Sequence, residues 1–202
     1  MTRRIRLLMI LLATAALAGC AGKNFVRAGS EDLRLGRSTY SEVLALMGEP
    51  QRSGQVIKNA KPLRSIVYVY AASGGEPYED GVIPARAQTF WFHRDVLVGQ
   101  EFISSFKADA TYFNLEKVGE VVQGQSTRSD VVARFGQPTG RFVAPVVEDG
   151  HGTAFGYRYQ TTRGGVFSGV FNSFRFHNRS VVFRFNRDGV VDLIDLETSA
   201  SD

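Results

Sequence analysis

A sixteen-residue pattern occurs twice in this chain, 88 residues apart. Leu35 to Pro50 (LGRSTYSEVLALMGEP) and Gln123 to Pro138 (QGQSTRSDVVARFGQP) agree at eight positions: Gly36/Gly124, Ser38/Ser126, Thr39/Thr127, Ser41/Ser129, Val43/Val131, Ala45/Ala133, Gly48/Gly136 and Pro50/Pro138. The match resumes at an offset of 93, where Phe90-x-Phe92-x-Arg94-Asp95 faces Phe183-x-Phe185-x-Arg187-Asp188. A repeat of this length marks a duplicated supersecondary unit. It confines the chain to folds that can be built twice from one plan, with about five extra residues between helix and hairpin in the second copy.

The plan is legible locally. Thr39 with Glu42, and Thr127 with Asp130, stand at the spacing of a capping box, so a helix begins at each. Val43, Leu46 and Met47 share one helical face in the first copy, as Val131, Val132 and Phe135 do in the second. Gly48 and Gly136 supply a left-handed terminus, and Pro50 and Pro138 forbid continuation. Strand patterns follow over 65–70 and 89–93, and again over 154–159 and 180–185. Asn186-Arg-Asp-Gly189 is a hairpin turn leading to a strand over 190–196, whereas Asp95-Val96 lacks the glycine and predicts a different turn. The expected fold class is α+β: two tandem units, 31–106 and 107–202, each a short helix on its own small antiparallel sheet.

The first nineteen residues have a separate purpose. Arg3, Arg4 and Arg6 precede an apolar run from Leu7 to Leu17 that is too short to span a bilayer, which needs about 20 residues. The run ends Leu17-Ala18-Gly19-Cys20, a lipobox. The expectation is a signal peptide over 1–19, cleavage, and a diacylglycerol and N-acyl chain on Cys20 as the only added group. Two or more chains make a stable anchor where one does not. Residues 20–30 read as a lipidated linker. Of the 24 Lys and Arg, three leave with the signal, so 21 basic side chains face 20 acidic ones. A net charge of +1 is not that of a nucleic-acid binder.

A short helix opened by Gly-x-Ser-Thr and closed by Gly-x-Pro, then a small sheet with a Phe-x-Phe strand and an Asp-Gly hairpin, behind a lipobox, resembles the SmpA/OmlA (BamE-like) family of outer-membrane lipoproteins. The resemblance implies a helix-plus-sheet fold and a periplasm-facing place on the outer membrane. It also implies a role beside the machinery that assembles β-barrel proteins; this chain differs in carrying two copies. Ala21 after the cysteine, rather than an aspartate, resembles the pattern sent on to the outer membrane. The paired units are also similar in architecture to β-lactamase inhibitory protein, in which two helix-and-sheet repeats grip another protein.

Chemistry-bearing patterns are sparse. His93, His151 and His177 lie far apart and in no metal-ligand spacing. Gly165-Val-Phe-Ser168-Gly169 misses the nucleophile-elbow spacing, and Gly150 to Gly156 misses a dinucleotide fingerprint. Glu79-Asp80 and Glu148-Asp149 read as solvated turns. The chain reads as no enzyme, with no metal and no soluble cofactor. Two stretches read as partner contacts: the Phe-rich segment 164–177, which carries Phe167, Phe171, Phe174 and Phe176, and the polar loop from Ser73 to Arg86. The expected function is a binding or scaffolding lipoprotein that assists outer-membrane protein assembly or envelope maintenance through an envelope protein partner. The rival is an inhibitor or sensor that grips a periplasmic enzyme between the two units.

Overall fold

A computed structural model describes residues 22–72, 74–80, 83–148, 154–163 and 176–201. Eight strands follow one another in space in chain order, every pair antiparallel: β1 (Arg52–Lys58), β2 (Lys61–Ala71), β3 (Ala85–His93), β4 (Val96–Ser104), β5 (Gly140–Val143), β6 (Phe155–Arg163), β7 (Phe176–Phe185) and β8 (Val191–Ser201). Two eight-residue helices, α1 (Tyr40–Met47) and α2 (Arg128–Phe135), pack on it, with a 3-10 turn over Leu115–Glu120.

This corrects the α+β expectation of two helix-on-sheet units. There is one sheet, because β4 pairs with β5 through Gly99↔Phe142, Gln100↔Arg141 and Glu101↔Gly140. Two separate four-stranded sheets would leave β4 and β5 as open edges, and pairing them satisfies those backbone groups. The architecture is mainly β, and the duplication survives as two halves of one meander.

The cap and strap bonds of one half recur in the other. Thr39 Oγ1 accepts the Glu42 amide while Glu42 accepts the Thr39 amide; Thr127 and Asp130 do the same. The Gly36 N–H donates to Leu97 O at 2.7 Å and the Gly124 N–H to Val191 O at 2.8 Å. In return Leu97 donates to Ser38 O and Val191 to Ser126 O, each at 2.8 Å. The Gly-x-Ser-Thr run is therefore a strap that ties each helix start to the last hairpin of its half. Gly36 and Gly124 stand at φ +74° and +80°, which explains the repeated glycine.

The helices seal the halves. Val43, Ile66, Tyr68, Phe90, Phe92 and Leu97 form one buried cluster, and Val131, Tyr159, Val181, Phe183, Phe185 and Val191 the other. Fully burying a Val or Phe side chain contributes about 1.5–3 kcal/mol. In α1 the inward residues are Tyr40, Val43, Leu44 and Met47, while Leu46 is 50% exposed. The helix leans one residue away from the expected face. Gly48 and Gly136 do carry positive φ, but with ψ near −160° rather than in the left-handed helical well, a region open essentially to glycine. The hairpin turns differ as expected: Arg94 and Asp95 both take positive φ in a two-residue turn, whereas Gly189 closes the longer Asn186 turn.

Candidate functional site

The β4–β5 ladder is three residues long, and its side chains alternate between faces. On the helix face, Gln100 and Arg141 stand opposite one another. Around them, between the two halves, opens a cleft of about 600 Å³ whose lining includes Arg27, Gln88, Gln100, Phe102, Thr139 and Arg141.

One wall is the N-terminal segment. Gln88, buried on β3, uses both ends of its amide on Ala28: Oε1 accepts the Ala28 N–H at 3.0 Å and Nε2 donates to the Ala28 carbonyl at 2.8 Å. Arg27 lies over the Phe102 ring at 4.9 Å and donates to Pro138 O at 3.1 Å. Phe25 packs on the first cluster. A Cβ on Gly22 would run into the Val69 carbonyl, so even Gly22 lies against β2. Read from composition as a linker, the stretch from Gly22 is held on the body of the protein.

The electrostatics of the cleft are unbalanced. Burial, then the neighbouring Arg141 charge, holds the Arg27 guanidinium below its ordinary value, with Asp109 opposing. Among the described residues no ion pair includes Arg27 or Arg141. Gln100 is 7% exposed and its Oε1 has no hydrogen-bond partner there.

No family model matches the sequence, and no curated protein matches it. A solved structure from Streptococcus mutans, provisionally described as a beta-lactamase inhibitor protein, aligns over 79% of this chain and 82% of its own at a TM-score of 0.42 and 14% identity. That likeness is too loose to carry an argument about either chain's function.

On the opposite face the same ladder is filled. Gly99 lies between the Phe142 and Trp91 rings, whose centroids are 5.6 Å apart. Glu101 faces Arg158 at 3.6 Å, and burial pushes the Glu101 carboxyl up while Arg158 pulls it back. Asn59 in the β1–β2 turn donates to Pro145 O at 2.8 Å, tying the first hairpin to the β5–β6 connection. The open polar surface at the seam is on the helix side.

Cys20, Phe167, Phe171 and Phe174 lie outside the described residues, as does most of the Phe-rich segment. Phe176 is the first residue of β7, opposite Ser201. In the 73–86 loop, where 73 and 81–82 are not described, Glu76 pairs with Lys107 at 2.6 Å and the Tyr78 amide donates to Ser105 O. Half-exposed Tyr78 stacks on half-exposed Tyr112. That loop is pinned to the chain following β4. His93 Nδ1 meets the Pro62 carbonyl at 3.2 Å, His151 is not described, and His177 is a β7 residue. Among the described residues no three His, Cys, Asp or Glu side chains gather where a metal could bind. No helix there is long and apolar enough to cross a membrane.

Sequence reasoning passed over Gln88 and Gln100. Their signal was phase: Gln88 keeps step with Phe90 and Phe92, and Gln100 with Phe102, so both are polar residues at inward positions of strands. Arg27 carried no signal, because only the docking of its segment brings it to the seam.

Proposed function

We propose that this protein is an outer-membrane lipoprotein, anchored through acyl chains on Cys20 and facing the periplasm, that acts by binding an envelope protein. The observation that carries the reading is the position of the N-terminal segment. The lipobox cysteine stands two residues before Gly22, and from Gly22 the chain runs along the fold into the wall of the polar cleft. Anchor and cleft belong to one continuous segment, an arrangement suited to presenting a binding surface close to a bilayer. The resemblance to the BamE-like lipoproteins supports assistance in outer-membrane protein assembly or envelope maintenance as its role.

A second reading assigns the cleft a periplasmic enzyme as its occupant, which the protein would inhibit or sense. The cleft's place between the two halves favours it, since a partner loop entering there touches both.

Fractionation separates the anchor from its alternatives. The wild-type protein is expected with outer membranes, and Cys20→Ala in the soluble periplasmic fraction or as an uncleaved precursor. Normal processing and unchanged membrane recovery of Cys20→Ala would refute the anchor. Detergent co-purification then distinguishes the two roles, since recovery of barrel-assembly components supports the first reading and recovery of a single soluble enzyme the second.

A further inference from the structure

The duplication itself shows which residues of the seam the fold does not require. Phe90 pairs with Gln100 in the first half, and Phe183 with Ile194 in the second; likewise Gln88 pairs with Phe102, and Val181 with Leu196. The second half thus fills both glutamine positions with aliphatic side chains, and both Val181 and Ile194 belong to its core packing. The two inward amides are a departure from the shared plan.

Gln88 has a use, since its amide clamps the main chain at Ala28. Gln100, its diagonal neighbour across the ladder, has none: it is 7% exposed and its Oε1 is unpartnered among the described residues. Buried polar groups are mostly satisfied in folded proteins. Among the described residues the other unpartnered buried atoms belong to Arg86, Glu101, Arg128, Arg134 and Arg158, none of which lines this cleft, so the Gln100 oxygen marks room for a partner there. Beside it stand two guanidiniums that make no ion pair among the described residues; Asp109, whose charge reaches Arg27, is itself paired with Arg86. Arg27 donates to the neutral Pro138 O, and Arg141 to Gln137 Oε1 at 2.7 Å. The acids that line the cleft do not serve: Asp32 accepts from the Gly29 amide at 2.8 Å and Glu31 is exposed.

We propose that the cleft receives a carboxylate side chain carried on an extended segment of a protein partner, with Arg27 and Arg141 pairing its oxygens and the Gln100 amide hydrogen-bonding the main chain beside it. Guanidinium–carboxylate pairs are the strong, directional hydrogen bonds that such a site can use. The Gln88–Ala28 clamp shows that this floor already holds one stretch of main chain through a glutamine amide. The proposal rests on the reading of the protein as a binding module and specifies what its partner presents.

The test is calorimetric titration of the mature full-length protein in detergent micelles. The probes are acetyl-Gly-Ser-Glu-Val-Glu-Ser-Gly-amide, its twin with Gln for both Glu, and free glutarate. The Glu peptide is expected to saturate, with the Gln twin weaker by about tenfold or more. Arg141→Met and Gln100→Met should weaken the Glu peptide comparably with unchanged melting temperatures, and Arg141→Lys should retain part of the affinity. Equal binding of the two peptides, or no saturation by a folded wild type, overturns the proposal. Glutarate binding as tightly as the peptide overturns the protein source of the carboxylate. Photocrosslinking in cells keeps the two levels apart. A partner recovered equally from wild type and Arg141→Met excludes the cleft as the contact and leaves the binding module standing. No partner from wild type removes the binding module itself.

Discussion

The Tyr159 hydroxyl donates to the Gly136 carbonyl at 2.8 Å, closing the C-terminal end of α2 onto β6, and Tyr68 makes the same bond to Gly48 at 2.7 Å in the other half. Helix ends leave carbonyls without intrahelical partners, and here a core tyrosine supplies one donor to each. Burial raises both phenols, Tyr68 from 10.0 to about 12 and Tyr159 further. Tyr68→Phe and Tyr159→Phe should each lower unfolding free energy by about 0.5–1.5 kcal/mol in urea titrations. A raised phenol pKa contributes stability that is present below pH 10 and lost as pH rises through the folded value, because the unfolded chain ionises first. Absorbance titration should show two late-ionising tyrosines, one removed by each substitution; unchanged curves would contradict the assignment.

Gly48 and Gly99 should fail for different reasons when replaced by alanine. Around Gly48 there is open space but φ is +78°, so the loss is conformational, about 1–3 kcal/mol. At Gly99 a Cβ would meet Phe142 Cδ1 at 2.9 Å and Trp91 Cε3 at 3.2 Å, so the loss is overpacking of similar size. Phe142→Leu should rescue part of Gly99→Ala and none of Gly48→Ala. A double-mutant cycle with no coupling between positions 99 and 142 would place the clash elsewhere.

Glu101 gives the seam a pH dependence. Its folded carboxyl is raised by burial, with Arg158 opposing, so its contribution to stability is fully present below its ordinary value of 4.5 and falls as pH rises through the folded one. Glu101→Gln should flatten the decline of urea stability above pH 4.5. Asp130, held low by the Thr127 bonds at the α2 cap, works with the opposite sign: its stabilisation is present above 3.8 and lost on acidification through its depressed value. An identical slope in Glu101→Gln and wild type would exclude the seam as its source.

Gln88→Leu should release the N-terminal wall of the cleft. Both hydrogen bonds to Ala28 disappear, and the Ala28 amide should exchange with solvent much faster while amides of α2 keep their protection. Global stability should fall by about 1–3 kcal/mol if the buried Ala28 groups stay dry, and by less if the segment peels off. Unaltered exchange at Ala28 would mean that Phe25 and Arg27 hold the segment without it.

Much of the fold was written in single positions. Thr39 with Glu42 and Gly48 with Pro50 bracket α1, because capping and termination are local chemistry. The alternation of Phe155, Tyr157 and Tyr159 marks β6 for the same reason. What escaped was non-local. β1 (RSGQVIK) lacks apolar alternation because it is an exposed edge, and β5 is four residues held between neighbours. The pairing of β4 with β5, which turns two expected sheets into one, depends on Gly99 and Gly140 admitting Phe142 and not on any strand propensity. The cleft escaped with it, since Gln100, Arg141 and Arg27 meet only once the seam and the N-terminal segment are in place.

The proposed role depends first on what precedes Gly22. Two residues reach at most about 7 Å, so a lipid on Cys20 would hold the body of the protein against the bilayer with no flexible spacer. The most direct measurement is the intact mass and N-terminal sequence of the protein purified from membranes. The predicted result is a chain beginning at Cys20 with a diacylglycerol thioether and an N-acyl group; a free thiol at Cys20, or a mature chain beginning at any other residue, would contradict it.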